Sequence, residues 1–154
     1  MKTKKKILAF VLVTALALFA LASCIKGESN PAEIEGDTIT VVVAGEAITE
    51  YTVELAKVTG TDGLISVLDY LESIDAIDYE LDGTMLSKVG ELENNAAAGK
   101  WIYVYTTVEN DIDVSQYAIT VEYKGQSITS SGVGAQDMTL EKNATIYIGL
   151  IVYE

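Results

Sequence analysis

Gly99-Lys100-Trp101-Ile102-Tyr103-Val104-Tyr105 is the densest aromatic stretch of the chain. In an extended chain, successive side chains point to opposite faces. Trp101, Tyr103 and Tyr105 therefore share one face, and Ile102 and Val104 share the other. Both faces are apolar, as expected of a strand inside a sheet rather than at its rim. The rest of the chain is read by what could pair with this strand or cover it.

Upstream, Thr38-Ile39-Thr40-Val41-Val42-Val43 is β-branched throughout, and Ala44-Gly45-Glu46 supplies a turn. Tyr51, Val53 and Leu55 then alternate with Glu50, Thr52 and Glu54, a half-buried strand that completes a hairpin. The period changes at Asp62. Leu64, Val67 or Leu68, Leu71 and Ile74 recur every three or four residues, which predicts an amphipathic helix capped by Thr61 or Asp62. Its apolar stripe is the face expected to lie on the sheet. Ile77, Tyr79 and Leu81 predict a short edge strand ending at Gly83, with another over Met85 to Val89. Glu91 to Gly99 reads as a small-residue connection.

Downstream, Val108 to Ser115 reads as an acidic solvated loop. Ala118 to Tyr123 and Gln126 to Ser130 form a hairpin about Lys124-Gly125, and Gly132-Val133-Gly134 breaks the chain. A short strand is expected at Met138 to Leu140. Thr145 to Tyr153 is apolar on both faces and should close the sheet from its centre. One helix among many strands predicts an α+β fold, a mainly antiparallel β sheet with one packed helix.

Lys2, Lys4, Lys5 and Lys6 precede an apolar run of fifteen residues from Ile7 to Leu21, broken only by Thr14. Leu21-Ala22-Ser23-Cys24 follows, with the form of a lipobox. A basic start, an apolar core and small residues before a break make a secretory signal. The run is short for a membrane span, which needs about 20 residues. Residues 1-23 are thus expected to be a lipoprotein signal peptide, with lipid carried on Cys24. Cys24 is the chain's single cysteine, so an internal disulfide is excluded. Residues 24-37 form an acidic tether containing the only proline, Pro31, and residues 38-154 form the domain. The expected place is extracytoplasmic, anchored to a bacterial cell membrane.

Composition narrows the function further. After cleavage before Cys24, six lysines face all 23 acidic residues, a net charge of 6 − 23 = −17. That balance opposes nucleic acid, which is held by cations on its phosphates. It also opposes anionic headgroups, so membrane attachment falls to the lipid. Histidine and arginine are absent. The commonest general base and zinc ligand are therefore missing, and no nucleophile–base set can be assembled. The chain reads as a binding protein rather than an enzyme, with no catalytic residues and no metal site.

The helix at Asp62–Ile74, the strand Gly99-Lys100-Trp101-Ile102-Tyr103, then Gly132-Val133, Leu140 and an aromatic-rich last strand together resemble the transcobalamin-like C-terminal domain family. This is the small lobe of vitamin B12 carriers, found also in Gram-positive lipoproteins. The resemblance implies a β-grasp-like arrangement and a corrinoid (cobalamin) ligand. It also implies that the lobe covers only one side of that ligand, because the carriers' helical domain is lacking. Binding by such a lobe is expected to be weak or to need a partner protein.

Candidate ligand-binding residues follow from residues and resemblance together. Trp101, Tyr103 and Tyr105 form either a stacking platform or one face of the core. The turn at Gly132 and Gly134 is the expected second edge of a pocket. Asp111, Asp113, Ser115 and Glu122 echo a calcium loop, but Gln116 stands where that loop needs glycine. Two functions fit: a surface lipoprotein that captures a small molecule, or a cell-surface interaction or adhesion module without one. A pocket between Trp101 and Gly132–Gly134 favours the first; a flat apolar patch or open sheet edge favours the second.

Overall fold

The computed structural model describes residues 36–153. The proposed signal peptide, the lipidation site Cys24 and all of the tether before residue 36 lie outside the described residues. Asp37, placed in the tether by sequence, is tied to the fold: its carbonyl accepts the Leu55 N–H at 2.8 Å, and its carboxylate meets Lys142 at 2.6 Å.

Ten elements carry the architecture. They are β1 (Thr38–Ala44), β2 (Ile48–Glu54), helix α1 (Gly63–Ser73), β3 (Tyr79–Asp82), β4 (Met85–Val89), β5 (Leu92–Glu93), β6 (Lys100–Thr106), β7 (Thr120–Tyr123), β8 (Gln126–Ser130) and β9 (Thr145–Val152). The main sheet has six strands in the order β2-β1-β9-β6-β8-β7, and β3-β4-β5 make a small second sheet. All neighbours in the main sheet are antiparallel except β1 and β9, its second and third strands, which run parallel. First and last strands side by side, with a helix between them in sequence, give the α+β, β-grasp-like arrangement that was expected.

Register explains the two faces. Val41 faces Ile146, and Val43 faces Ile148 across the parallel pair. These four and Ile39 point to the helix side, where Leu64, Val67, Leu68 and Leu71 cover them. Each such side chain contributes roughly 1.5–3 kcal/mol by leaving water. The opposite face carries Val42, Tyr105 and Ile128, each buried but outside that main core. Tyr103, Tyr105, Tyr147 and Tyr123 cluster on this second face, with ring centroids 5.7 to 6.4 Å apart along the series.

Several local expectations change. The helix begins after Asp62, but the Asp62 side chain makes no capping bond; its N–H instead donates to Ser66 Oγ at 2.9 Å. Gly63 opens the helix at φ +48°, and a Cβ there would lie 2.6 Å from the Met138 carbonyl oxygen. Close approach of the Met138 backbone therefore leaves room only for glycine at the helix start. Ile74 sits past the helix end and is exposed. Met138–Leu140 is not a strand; Met138 is a buried anchor under the helix start. The acidic loop is not wholly solvated. Val108 and Asp111 are buried, and Asp111 accepts hydrogen bonds from the Thr139 N–H and Oγ1. Glu91–Gly99 contains β5 and a 3-10 turn over Ala96–Ala98.

Candidate functional site

The site grows from the uneven pairing of β6. On one side, β9 pairs with all seven of its residues, from Lys100↔Val152 to Thr106↔Ile146. On the other side, β8 reaches only Tyr105 and Thr106. Residues 100, 102 and 104 turn their backbone groups toward this open side. Lys100 exchanges both backbone bonds with Asn95 at 2.9 Å. The Ile102 N–H donates to Asn94 Oδ1 at 2.7 Å, and the Val104 carbonyl accepts from the Ser131 N–H at 2.8 Å. Asn94 also donates its Nδ2 to the Leu86 carbonyl at 2.9 Å. One amide side chain thus joins β4 to β6 where a strand is missing.

Between Asn94 and Ser131 the edge opens into a groove of about 500 Å³. Trp101 and Tyr103 line it from β6 and Tyr153 from just past β9, Met85 and Leu86 from the small sheet, and Gly134 from the turn. Its position at a strand edge explains why Ile102 and Val104, from the other face, also reach it. A second cavity of about 300 Å³ adjoins it, sharing Met85, Asn94 and Trp101 as walls. Glu80, Asp82 and Glu93 line that cavity, with Lys88 bridging Asp78 at 2.6 Å and Glu80 at 3.8 Å.

Of the residues singled out by sequence, the structure brings Trp101, Tyr103 and Gly134 together around one groove. Tyr105 is placed elsewhere. It is 3% exposed and meets Tyr147 edge to face, with centroids 5.7 Å apart. The Tyr103 and Tyr105 rings are tilted 47° to each other, so the three aromatic residues present no continuous flat surface. Gly132 stands outside the groove, at the crossing of its turn with Ile112 and Asp113. Sequence reading missed Tyr153, Asn94 and the Met85–Leu86 wall. The Tyr153 hydroxyl contacts that of Tyr103 at 2.7 Å, although strand register sets Tyr103 opposite Gly149.

The Tyr103 hydroxyl is held above the usual phenol range, first by its bond to Tyr153 and then by burial. Tyr105 is shifted the same way, chiefly by burial. Neither has a base positioned to make it a nucleophile at neutral pH. Among the described residues, no three Asp, Glu, His or Cys side chains converge to hold a metal ion. The two carboxylate oxygens of Asp111 both face Thr139. Asp113 Oδ1 accepts the Ser115 N–H at 2.8 Å, a local turn bond.

No protein-family model matches the chain, and no curated protein matches it. Among solved structures, it is similar to a "putative metal binding protein" from Ruminococcus gnavus, with 16% sequence identity and a TM-score of 0.48. The match covers 77% of this chain and 99% of that one. At that level of similarity, neither the neighbour's detailed architecture nor its ligand carries over to this chain.

Proposed function

We propose that the protein is a lipid-anchored bacterial surface protein whose domain captures a small, partly apolar ligand in the Trp101–Gly134 groove. The observation that carries the reading is the groove itself. Trp101 and the glycine turn, far apart in sequence, meet at a concavity rather than on a flat patch. The anchor rests on Leu21-Ala22-Ser23-Cys24 and the basic, apolar segment before it. Among the described residues, no helix is long and apolar enough to cross a membrane.

A corrinoid is the first ligand to test, because the strand and helix that build the groove's surroundings resemble the small lobe of cobalamin carriers. The groove is open and takes one edge of such a ligand, so binding alone is weak and a partner completes the enclosure. The test is a titration of the full chain in detergent with cyanocobalamin, following heat and visible absorbance together. Saturable binding that is lost in Trp101→Ala, with folding retained, supports capture. No heat and no spectral change at high micromolar ligand removes the corrinoid from the proposal. For the anchor, Cys24→Ala should abolish palmitate labelling and membrane fractionation; continued labelling would overturn it.

A second reading has its own observation. Val114 is 90% exposed and Tyr117 77% exposed, on the loop between Asp111 and β7. Two large apolar side chains held in water suit a protein-interaction or adhesion module. Loss of partner binding in a Val114→Ser, Tyr117→Ser variant, with cobalamin binding unchanged, would favour it.

A further inference from the structure

The groove has a backbone floor that the capture of a generic apolar ligand leaves unused. Residues 100, 102 and 104 direct their N–H and C=O groups to the open edge of β6. Lys100 is satisfied by Asn95, the Ile102 N–H by Asn94, and the Val104 C=O by Ser131. Two groups remain, the Ile102 C=O and the Val104 N–H. Neither has a hydrogen-bond partner among the described residues. Both belong to residues that line the groove. An acceptor and a donor two residues apart on one strand edge are what a single extended residue of another chain satisfies, with its own N–H and C=O. Asn94 closes one end of the gap and Ser131 the other, so the fit is to a short segment, not a long strand.

Charge chooses among such segments. The adjoining cavity is walled by Glu80, Asp82 and Glu93. Its single lysine, Lys88, is engaged with Asp78 and Glu80, and among the described residues Asp82 and Glu93 have no ion pair. Trp101 is a wall of both cavities, and its indole face attracts a cation passing between them. We infer that the β6 edge binds a short extended peptide, its backbone on Ile102 and Val104 and a basic side chain in the Glu80–Asp82–Glu93 cavity. This inference rests on the groove being a ligand site and names the class of ligand.

The test uses the full chain in detergent and the peptide acetyl-Leu-Lys-Leu-amide. Trp101 is the only tryptophan, so its fluorescence reports the groove. Two control peptides carry glutamate for lysine, or a methyl on every backbone nitrogen. The lysine peptide should saturate the fluorescence change and bind about tenfold or more tighter than either control, a difference of about 1.4 kcal/mol. Amide exchange at Val104, followed by NMR, should slow when it binds. Asp82→Asn with Glu93→Gln should weaken the lysine peptide several-fold and bring it toward the glutamate peptide. Equal binding of the methylated peptide, unchanged exchange at Val104, or no binding at millimolar peptide would overturn the inference. Cyanocobalamin titrated in parallel separates the two proposals. Cobalamin binding without peptide binding removes the peptide and keeps capture of a small molecule; peptide binding without cobalamin does the reverse.

Discussion

The hydroxyl oxygens of Tyr103 and Tyr153 lie 2.7 Å apart, joining the middle of β6 to the residue just past β9. Fifty positions separate them in the chain, and the rings meet edge to face with centroids 6.5 Å apart. Together they form one rim of the groove. The bond to Tyr153 is the first cause of the raised Tyr103 pKa, with burial second. In Tyr153→Phe the Tyr103 midpoint should therefore move down toward the ordinary phenol value of 10.0. An ultraviolet titration of the tyrosinate signal reads this. A Tyr103 midpoint unmoved by the substitution would show that burial alone sets it.

Tyr79 links the small sheet to the helix, its hydroxyl donating to Asp69 Oδ1. Burial, then that carboxylate, pushes its pKa up from 10.0 to about 12. A raised value means the folded state holds the phenolic proton more tightly than the unfolded chain does. The associated stability is complete below pH 10 and is lost as pH climbs from 10 to about 12. Wild-type denaturation midpoints should fall more steeply than those of Tyr79→Phe across that window. Near neutral pH the substitution should cost no more than about 1 kcal/mol, the net value of one exposed hydrogen bond. Parallel curves for the two proteins from neutral pH to pH 12 would refute the assignment.

Sequence made the strands and the helix legible because their periods are strong. Both faces of Trp101–Tyr105 and of Thr145–Tyr153 are apolar, and those two stretches do sit next to each other inside the sheet. The parallel pairing of β1 with β9 was not legible, since no local pattern records which distant strand is a neighbour. Trp101 and Gly134 were readable as groove residues from an aromatic strand and a glycine turn. Asn94 was not. Its small-residue surroundings suggested only a connection, whereas its amide spans two strands, a role visible only once both carbonyl and N–H partners are in place. Ile74 continued the helical period, but the helix stops at Ser73 and leaves it exposed.

In sequence Asp111 has the place of a loop residue that echoes a calcium ligand, and the fold gives it another task. It is 4% exposed, and its carboxylate receives both the N–H and the hydroxyl of Thr139. Hydrogen bonds to a charged acceptor contribute about 1.5–3 kcal/mol, and the donors on exposed Thr139 can turn to water when that acceptor is removed. Asp111→Ala should thus destabilise by about 1.5–3 kcal/mol in urea denaturation, and Thr139→Val by less, because the Thr139 N–H stays bonded. Because both carboxylate oxygens are engaged, millimolar calcium should leave the wild-type midpoint unchanged. A calcium-dependent rise that disappears in Asp113→Asn would reverse this account.

Asn94 fixes the groove from its other end, and its removal separates structure from binding. Its Oδ1 takes the Ile102 N–H at 2.7 Å, and its Nδ2 gives to the Leu86 carbonyl at 2.9 Å. Asn94→Ala deletes both bonds, and each contributes about 0.5–1.5 kcal/mol, so a loss of about 1–3 kcal/mol is expected. Water can enter the half-open edge and satisfy Ile102, which keeps the loss toward the lower figure. Asn94→Asp tests the geometry more sharply. It keeps an acceptor for Ile102 but sets a carboxylate oxygen against the Leu86 carbonyl, among Glu80, Asp82 and Glu93. It should be at least as destabilising as alanine at neutral pH, and protonation of that carboxylate in acid should narrow the gap. Urea denaturation at pH 7 and pH 4 checks this. If the Asn94→Asp variant matched wild type at neutral pH, the bond to Leu86 would contribute nothing, and β4 would be held to β6 by packing alone.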